Sequence, residues 1–382
     1  MAITEKPHYE LLDGLRGVAA LLVVLYHINE GFAFASGAPV IDFMNHGYLA
    51  VDFFFILSGF VIGYAYDDRW SRGLTLWQFA KRRLIRLHPM VVAGVLLGAL
   101  AFGIQGFEKW DHTAVSPWAL VGALICGLLF IPAVPGATYE VRGNGEAFPL
   151  NGPSWSLFFE YIGNLLYAML IRRLSTRALA CLTAVLGMGV LFFTSFDVSG
   201  YGMFGVGWTV GGWGFLQGLL RMTFPFSMGL LMARTFRPRP LKGIFWICAL
   251  VLAAVFMVPY IPSSGTVCLN GVFESACIIL VFPAVVYVAA CGIGESALTR
   301  RTYNFMGAIS YPLYITHYPV MYLFYAWLID RQLYTFAQTW PVVIGVVAVN
   351  IAIAWLLLKF YDEPVRRWLA SRSLLAVSRV GK

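Results

Sequence analysis

Near the end of an apolar run stands His27, eleven positions after Arg16 in LDGLRGVAALLVVLYH. At about 100° per residue, eleven helical steps return to within roughly 20° of the start and advance roughly 16 Å. Both side chains therefore share one face, three turns apart. An ionisable group at membrane depth costs about 3 kcal/mol or more unless it is partnered or solvated, which marks it as a working residue by default. A neutral imidazole can take a proton from a hydroxyl acceptor while a carboxylate on its other nitrogen fixes the tautomer and steadies the imidazolium. Asp52, which opens DFFFILSGF, and Glu160, which closes PSWSLFFE, are the candidates for that carboxylate. Glu30 lies one turn outward of His27 on the same face, either to contact an acceptor or as an interfacial charge. His317, in SYPLYITHYPV, is a second cavity wall or a kink stabiliser, and Tyr311 and Trp155 are further candidates for cavity lining. In KRRLIRLHP, Arg83 and Arg86 stand at i and i+3, neighbours on one helix surface. Such guanidinium forks grip phosphate, as coenzyme A would present it, or simply anchor a loop on the positive side of a membrane.

These groups need a scaffold of helices. The chain has 382 residues, of which 59% are hydrophobic and 12% charged. Its mean hydropathy of +0.74 excludes a water-soluble globular domain. The reading is an all-α, multi-spanning membrane protein. An apolar core roughly 30 Å thick needs about 20 residues per helix. Candidate spans are 14–33, 47–66, 89–106, 154–171, 178–195, 221–233, 243–261, 271–291, 304–329 and 340–360. The further apolar run 118–134 is assigned by charge. If it does not cross, only Lys109, Arg142, Arg221 and Arg331 of the 27 basic residues are exported, as the retention of Lys and Arg on the cytoplasmic side requires. If it crosses, the basic stretch 234–242 is exported as well. Ten spans with both termini cytoplasmic follow, with 118–134 a re-entrant or interfacial segment covered by protein. Residues 1–370 form one transmembrane domain and 371–382 a short basic tail. In this topology His27, Asp52 and Glu160 each lie five or six residues from the outer end of their helices, roughly 8 to 9 Å deep, which predicts a common cavity.

The same inventory narrows the function. The net charge of +8 reflects orientation and anionic-lipid contact and gives no sign of nucleic acid. Six cysteines without a CxxC pair read as small core residues, neither metal ligands nor a disulfide frame. No Walker loop, dinucleotide fingerprint or internal repeat is present, and the Gly-rich stretch 200–214 reads as a flexible lid or a packed loop. The first apolar stretch is expected to be retained, because Glu5, Glu10 and Asp13 precede it where a signal peptide would be basic. A multi-pass transporter of a small polar or anionic solute also uses buried ionisable groups and Gly/Pro-interrupted helices. A scaffold for glycan assembly needs no buried histidine.

At these residues the chain resembles the acyltransferase 3 family of bacterial inner-membrane proteins. The resemblance rests on the R-x10-H run, VDFFFILSGFVI, RLIR, PSWSLFFE and SYPLYITHYPV, in order across residues 11–320. It implies a ten-helix fold that moves an acyl group, commonly acetyl, from cytosolic acyl-CoA to a hydroxyl of a cell-surface or secreted glycan, with some relatives acting on lipids or small metabolites. It also implies His27 as the catalytic histidine, Arg16 as its basic partner, Arg83 and Arg86 as the donor-linked pair and Glu160 as the acidic residue after the WSL turn. Two departures stand out: the soluble esterase-like domain of some relatives has no counterpart in the roughly 20 residues after the tenth span, and Phe158-Phe159 replaces a smaller or more polar pair. The expected partners are acyl-CoA, a glycan, glycolipid or other hydroxyl acceptor, and the bilayer, with no permanently bound cofactor. Direct transfer and an acyl-histidine intermediate both fit.

Overall fold

The computed structural model describes residues 8–41, 43–293 and 295–380, with side chains through 372. Lys6 and the side chains of the basic tail beyond Arg372 lie outside the described residues. The helices are α1 (Glu10–Ser36), α2 (Ala50–Trp70), α3 (Leu76–Ile104), α4 (Pro117–Leu129), α5 (Ser154–Met169), α6 (Thr176–Ser195) and α7 (Gly214–Thr235). They continue with α8 (Phe245–Met257), α9 (Leu269–Ala276), α10 (Phe282–Ala290), α11 (Ala297–Arg331), α12 (Phe336–Leu357) and α13 (Glu363–Val380). Wide π turns at Cys277–Val281 and Leu358–Asp362 join α9 to α10 and α12 to α13. Each ends two residues before a proline, Pro283 or Pro364, whose missing N–H cannot close an ordinary helical bond.

Among the described residues, six stretches are long and apolar enough to cross a membrane: Glu10–Ser36, Gly47–Trp70, Leu76–Ile104, Thr176–Ser195, Leu269–Ala290 and Phe336–Arg372. The protein is all-α and has the character of a multi-pass membrane protein. The other four expected spans fall on α5 and α8, with 16 and 13 residues, and on α7 and α11, which are longer but more polar. α11 can be polar because it is an interior helix, with buried Ser310, Thr316 and His317. The run 118–134 forms α4, whose 13 residues reach about 20 Å, less than the apolar thickness of a bilayer.

Small residues set the closest crossings. A Cβ at Gly17 on α1 would lie 2.2 Å from the Met306 carbonyl oxygen of α11, and one at Gly14 would lie 2.3 Å from Tyr303 Cβ. Gly59 and Gly229 do the same between α2 and α7, each 2.1 Å from a carbonyl oxygen of the other helix. α11 carries Pro312 and Pro319. Pro319 has no N–H to offer the Ile315 carbonyl four residues earlier, and the Asn151 side-chain amide donates to that oxygen instead, at 2.9 Å. This bond draws the 131–153 loop into the bundle beside α11.

Candidate active site

Helices α1, α2, α5 and α11 enclose two cavities that follow one another along their length. One, of about 410 Å³, is lined by His27, Glu30, Glu146, Trp155, Tyr318 and Trp208 among others. The other, of about 290 Å³, is lined by Arg16, Arg83, Arg86, Glu160, Ser58 and Tyr311 among others. Arg16 and His27 lie on one helix but face different chambers.

In the histidine cavity, His27 Nδ1 is 2.7 Å from Glu30 Oε2. A carboxylate only accepts, so Nδ1 carries the proton and Nε2 keeps its lone pair. Tyr26 and Tyr318 donate to Glu30 at 3.3 and 3.4 Å. The Tyr325 hydroxyl lies 2.9 Å from Glu30 and 2.6 Å from the His27 carbonyl, either of which can accept its proton. The His317 ring stacks on His27 with centroids 5.1 Å apart. Its Nδ1 donates to the Tyr314 carbonyl at 2.8 Å, and its fully buried Nε2 meets no partner among the described residues. In the 131–153 loop, Glu146 accepts from the Tyr322 hydroxyl and from Asn144. Burial pushes its carboxyl up to about 7.

The expected meeting of His27 with Asp52 and Glu160 does not occur, and the orienting carboxylate is Glu30. Asp52 and Arg221 form a fully buried, two-pronged pair, Nε to Oδ1 at 3.2 Å and Nη2 to Oδ2 at 2.7 Å. Arg221 also donates to the carbonyls of Val206 and Tyr48, both at 2.9 Å, so the 200–214 loop is packed at this point as a cavity wall. Glu160 lies in the other cavity, where Arg83 Nη2 and Ser58 Oγ each approach its Oε1 at 2.8 Å. Depth counting misplaced it because α5 begins inside the bundle: Ser154 is fully buried, and the preceding Asn151 is tied to mid-α11. Tyr311 likewise lines the arginine cavity, under the Arg86 guanidinium at 5.8 Å, whereas Trp155 lines the histidine cavity. Arg16 Nε donates to Ser310 Oγ at 2.9 Å, and its Nη2 pairs with Asp13.

Glu30 was legible as the orienter from its i, i+3 spacing to His27, and Arg221 from being a lone guanidinium in an apolar run. Nothing local in the sequence pointed to Glu146, which enters through the buried loop.

The acyltransferase domain profile of the acyltransferase 3 family matches residues 9–359, and the chain belongs to that family. It is an acyltransferase, which removes the carrier alternative. It is 27% identical to the acyltransferase MdmB of Streptomyces mycarofaciens, over 96% of this chain and 94% of that protein. It is 37% identical to protein 2 in the picA locus of Rhizobium radiobacter, over 44% of this chain and 85% of that protein. It is 24% identical to the peptidoglycan O-acetyltransferase OatA of Listeria monocytogenes, over 93% of this chain and 55% of that longer relative. No solved structure matches.

Proposed function

We propose that this protein is a bacterial inner-membrane O-acyltransferase that moves an acetyl or similar acyl group from cytosolic acyl-CoA to a hydroxyl of an extracytoplasmic glycan or glycolipid. The observation that carries this reading is the His27–Glu30 dyad in one cavity, set next to a cavity lined by three guanidiniums. In the ten-span topology with cytoplasmic termini, the arginine cavity faces the cytoplasm and receives the donor. Arg83 and Arg86, with Arg16 beside them, bind donor phosphates, and Arg83 retains a buried Nε–H without an acceptor among the described residues. Glu160 holds Arg83 until a phosphate competes for it. The acceptor enters the histidine cavity, where Trp155 and Trp208 offer faces for a sugar ring.

His27 Nε2 then removes the hydroxyl proton as the oxygen attacks the thioester carbonyl. The C–S bond breaks, the thiolate of CoA leaves and is protonated from His27, and the ester remains on the acceptor. Glu30 holds the reactive tautomer and offsets the imidazolium charge. Transfer through an acyl-histidine uses the same groups. An acetyl group is favoured by the O-acetyltransferase name of the Listeria relative.

The test is acetyl transfer from labelled acetyl-CoA by purified protein. His27→Ala is expected to lower it by roughly 10²- to 10⁴-fold with unchanged membrane insertion. Transfer within a factor of two of the parent would remove His27 from the mechanism.

A further inference from the structure

Two residues, Val51 and Tyr314, line both cavities, so their side chains are the wall between them. The wall is one side chain thick at this level: on α5, Trp155 lines the histidine cavity and the next residue, Ser156, lines the arginine cavity. Ser156 Oγ donates to the Pro153 carbonyl at 3.0 Å, which uses its only proton. The contact of 2.7 Å between Ser156 Oγ and the Tyr314 hydroxyl is therefore a bond that Tyr314 donates. Phe54, on the arginine side, holds the Tyr314 ring edge-on with centroids 5.2 Å apart. The Tyr314 carbonyl meanwhile accepts from His317 Nδ1, so the same residue supports the ring stacked on His27.

We propose that the Tyr314 side chain is a shutter between the two cavities, latched by its hydrogen bond to Ser156, that admits the donor's acyl-thioester arm to His27 and bars water on the histidine side from the donor. It is a positioning residue, and the inference rests on the acyl-CoA reading only for the identity of what passes. Valine cannot swing clear of the wall as a ring on a long lever can, and the latch is one neutral hydrogen bond, weak enough to open thermally. With the shutter removed, water reaches the thioester carbonyl, the C–S bond breaks, and the products are the free carboxylic acid and the thiol of CoA.

The test uses the full chain in vesicles, with Ser58→Cys as a reporter in the arginine cavity. Labelling by the membrane-impermeant anion sulfonatoethyl methanethiosulfonate is read on the peptide that carries position 58, apart from the six native cysteines. With Tyr314 intact, labelling is expected to be fast from one face of the membrane and slow from the other. With Tyr314→Ala it is expected to be fast from both faces, and in a protein with native Ser58 the ratio of acceptor-free acetyl-CoA hydrolysis to transfer is expected to rise roughly tenfold. Tyr314→Phe keeps the ring and loses the latch, so second-face labelling is expected to quicken about fivefold, which carries the test if the alanine variant fails to fold. Second-face labelling that stays at the parent rate in both variants overturns the shutter. Fast second-face labelling in the Tyr314 variants, beside a parent protein that neither transfers nor hydrolyses acetyl-CoA, upholds the shutter and refutes the acyl-CoA reading instead.

Discussion

The two cavities share four helices yet differ in charge. The arginine cavity is lined by Arg16, Arg83 and Arg86 against the carboxylates of Asp13 and Glu160. The histidine cavity is lined by Glu30 and Glu146, and its single guanidinium, Arg221, is already matched by Asp52 behind the wall. On the proposed reading, a polyanionic donor would suit the first chamber and a neutral hydroxyl acceptor the second, and the difference in lining charge would sort the two substrates.

The hardest blow to this contrast is expected from Asp52→Asn. It leaves the fully buried Arg221 unmatched, and thermal or denaturant unfolding in detergent is expected to show a loss of about 3–5 kcal/mol. A loss well under 1 kcal/mol would show that the histidine cavity is not insulated from this guanidinium. Next comes Arg83→Gln with Arg86→Gln, expected to weaken acetyl-CoA binding roughly a hundredfold while leaving His27 chemistry at saturating donor intact. An unchanged dissociation constant would place the donor elsewhere.

Glu30→Gln tests the other chamber. Turnover is expected to fall about tenfold or more with donor affinity unmoved, and a fall in donor affinity instead would blur the division between the cavities.

The smallest effect is a pH slope from Glu146. The folded protein holds this proton up to about 7, above the ordinary 4.5. Its contribution to stability is therefore complete below about pH 4.5 and is lost as pH rises toward and through 7. Melting temperatures between pH 5 and 8 are expected to decline more steeply for the parent than for Glu146→Gln, and parallel curves would contradict a buried, protonated Glu146.

Much of this arrangement was legible in the sequence where the determinants are local. The 3.6-residue period put Arg16 and His27 on one face of α1, and the apolar runs located the helices, although α3, α7 and α11 begin 13, 7 and 7 residues before the runs that marked them. The i, i+3 spacing of Arg83 and Arg86 kept both on one lining surface. What escaped depends on contacts distant in sequence. Asp52 meets Arg221 across 169 positions, and no spacing rule joins them. Glu160 was misplaced because the start of α5 was equated with the membrane surface, whereas the Pro319-freed carbonyl of Ile315 pulls Asn151 and the start of α5 into the bundle. The short helices α5 and α8 also do not fit a count of 20 residues per span, since helices sheltered by neighbours need not match the bilayer by themselves.

The glycine-mediated interlock of α1 with α11 brings the backbones of the two histidine-bearing helices into direct contact. With no side chain between them to repack, they behave as one spindle, and any larger residue at Gly17 must push the pair apart and tilt the imidazoles off register. The chamber is completed by connecting segments, those of Glu146 and Trp208, and the first is tied to the same spindle by Asn151 at the Ile315 carbonyl and by Glu146 at the Tyr322 hydroxyl. On the proposed acyl-transfer reading, the Trp208 segment, which carries neither of those ties, is where a different acceptor would be accommodated while the two histidines keep their places.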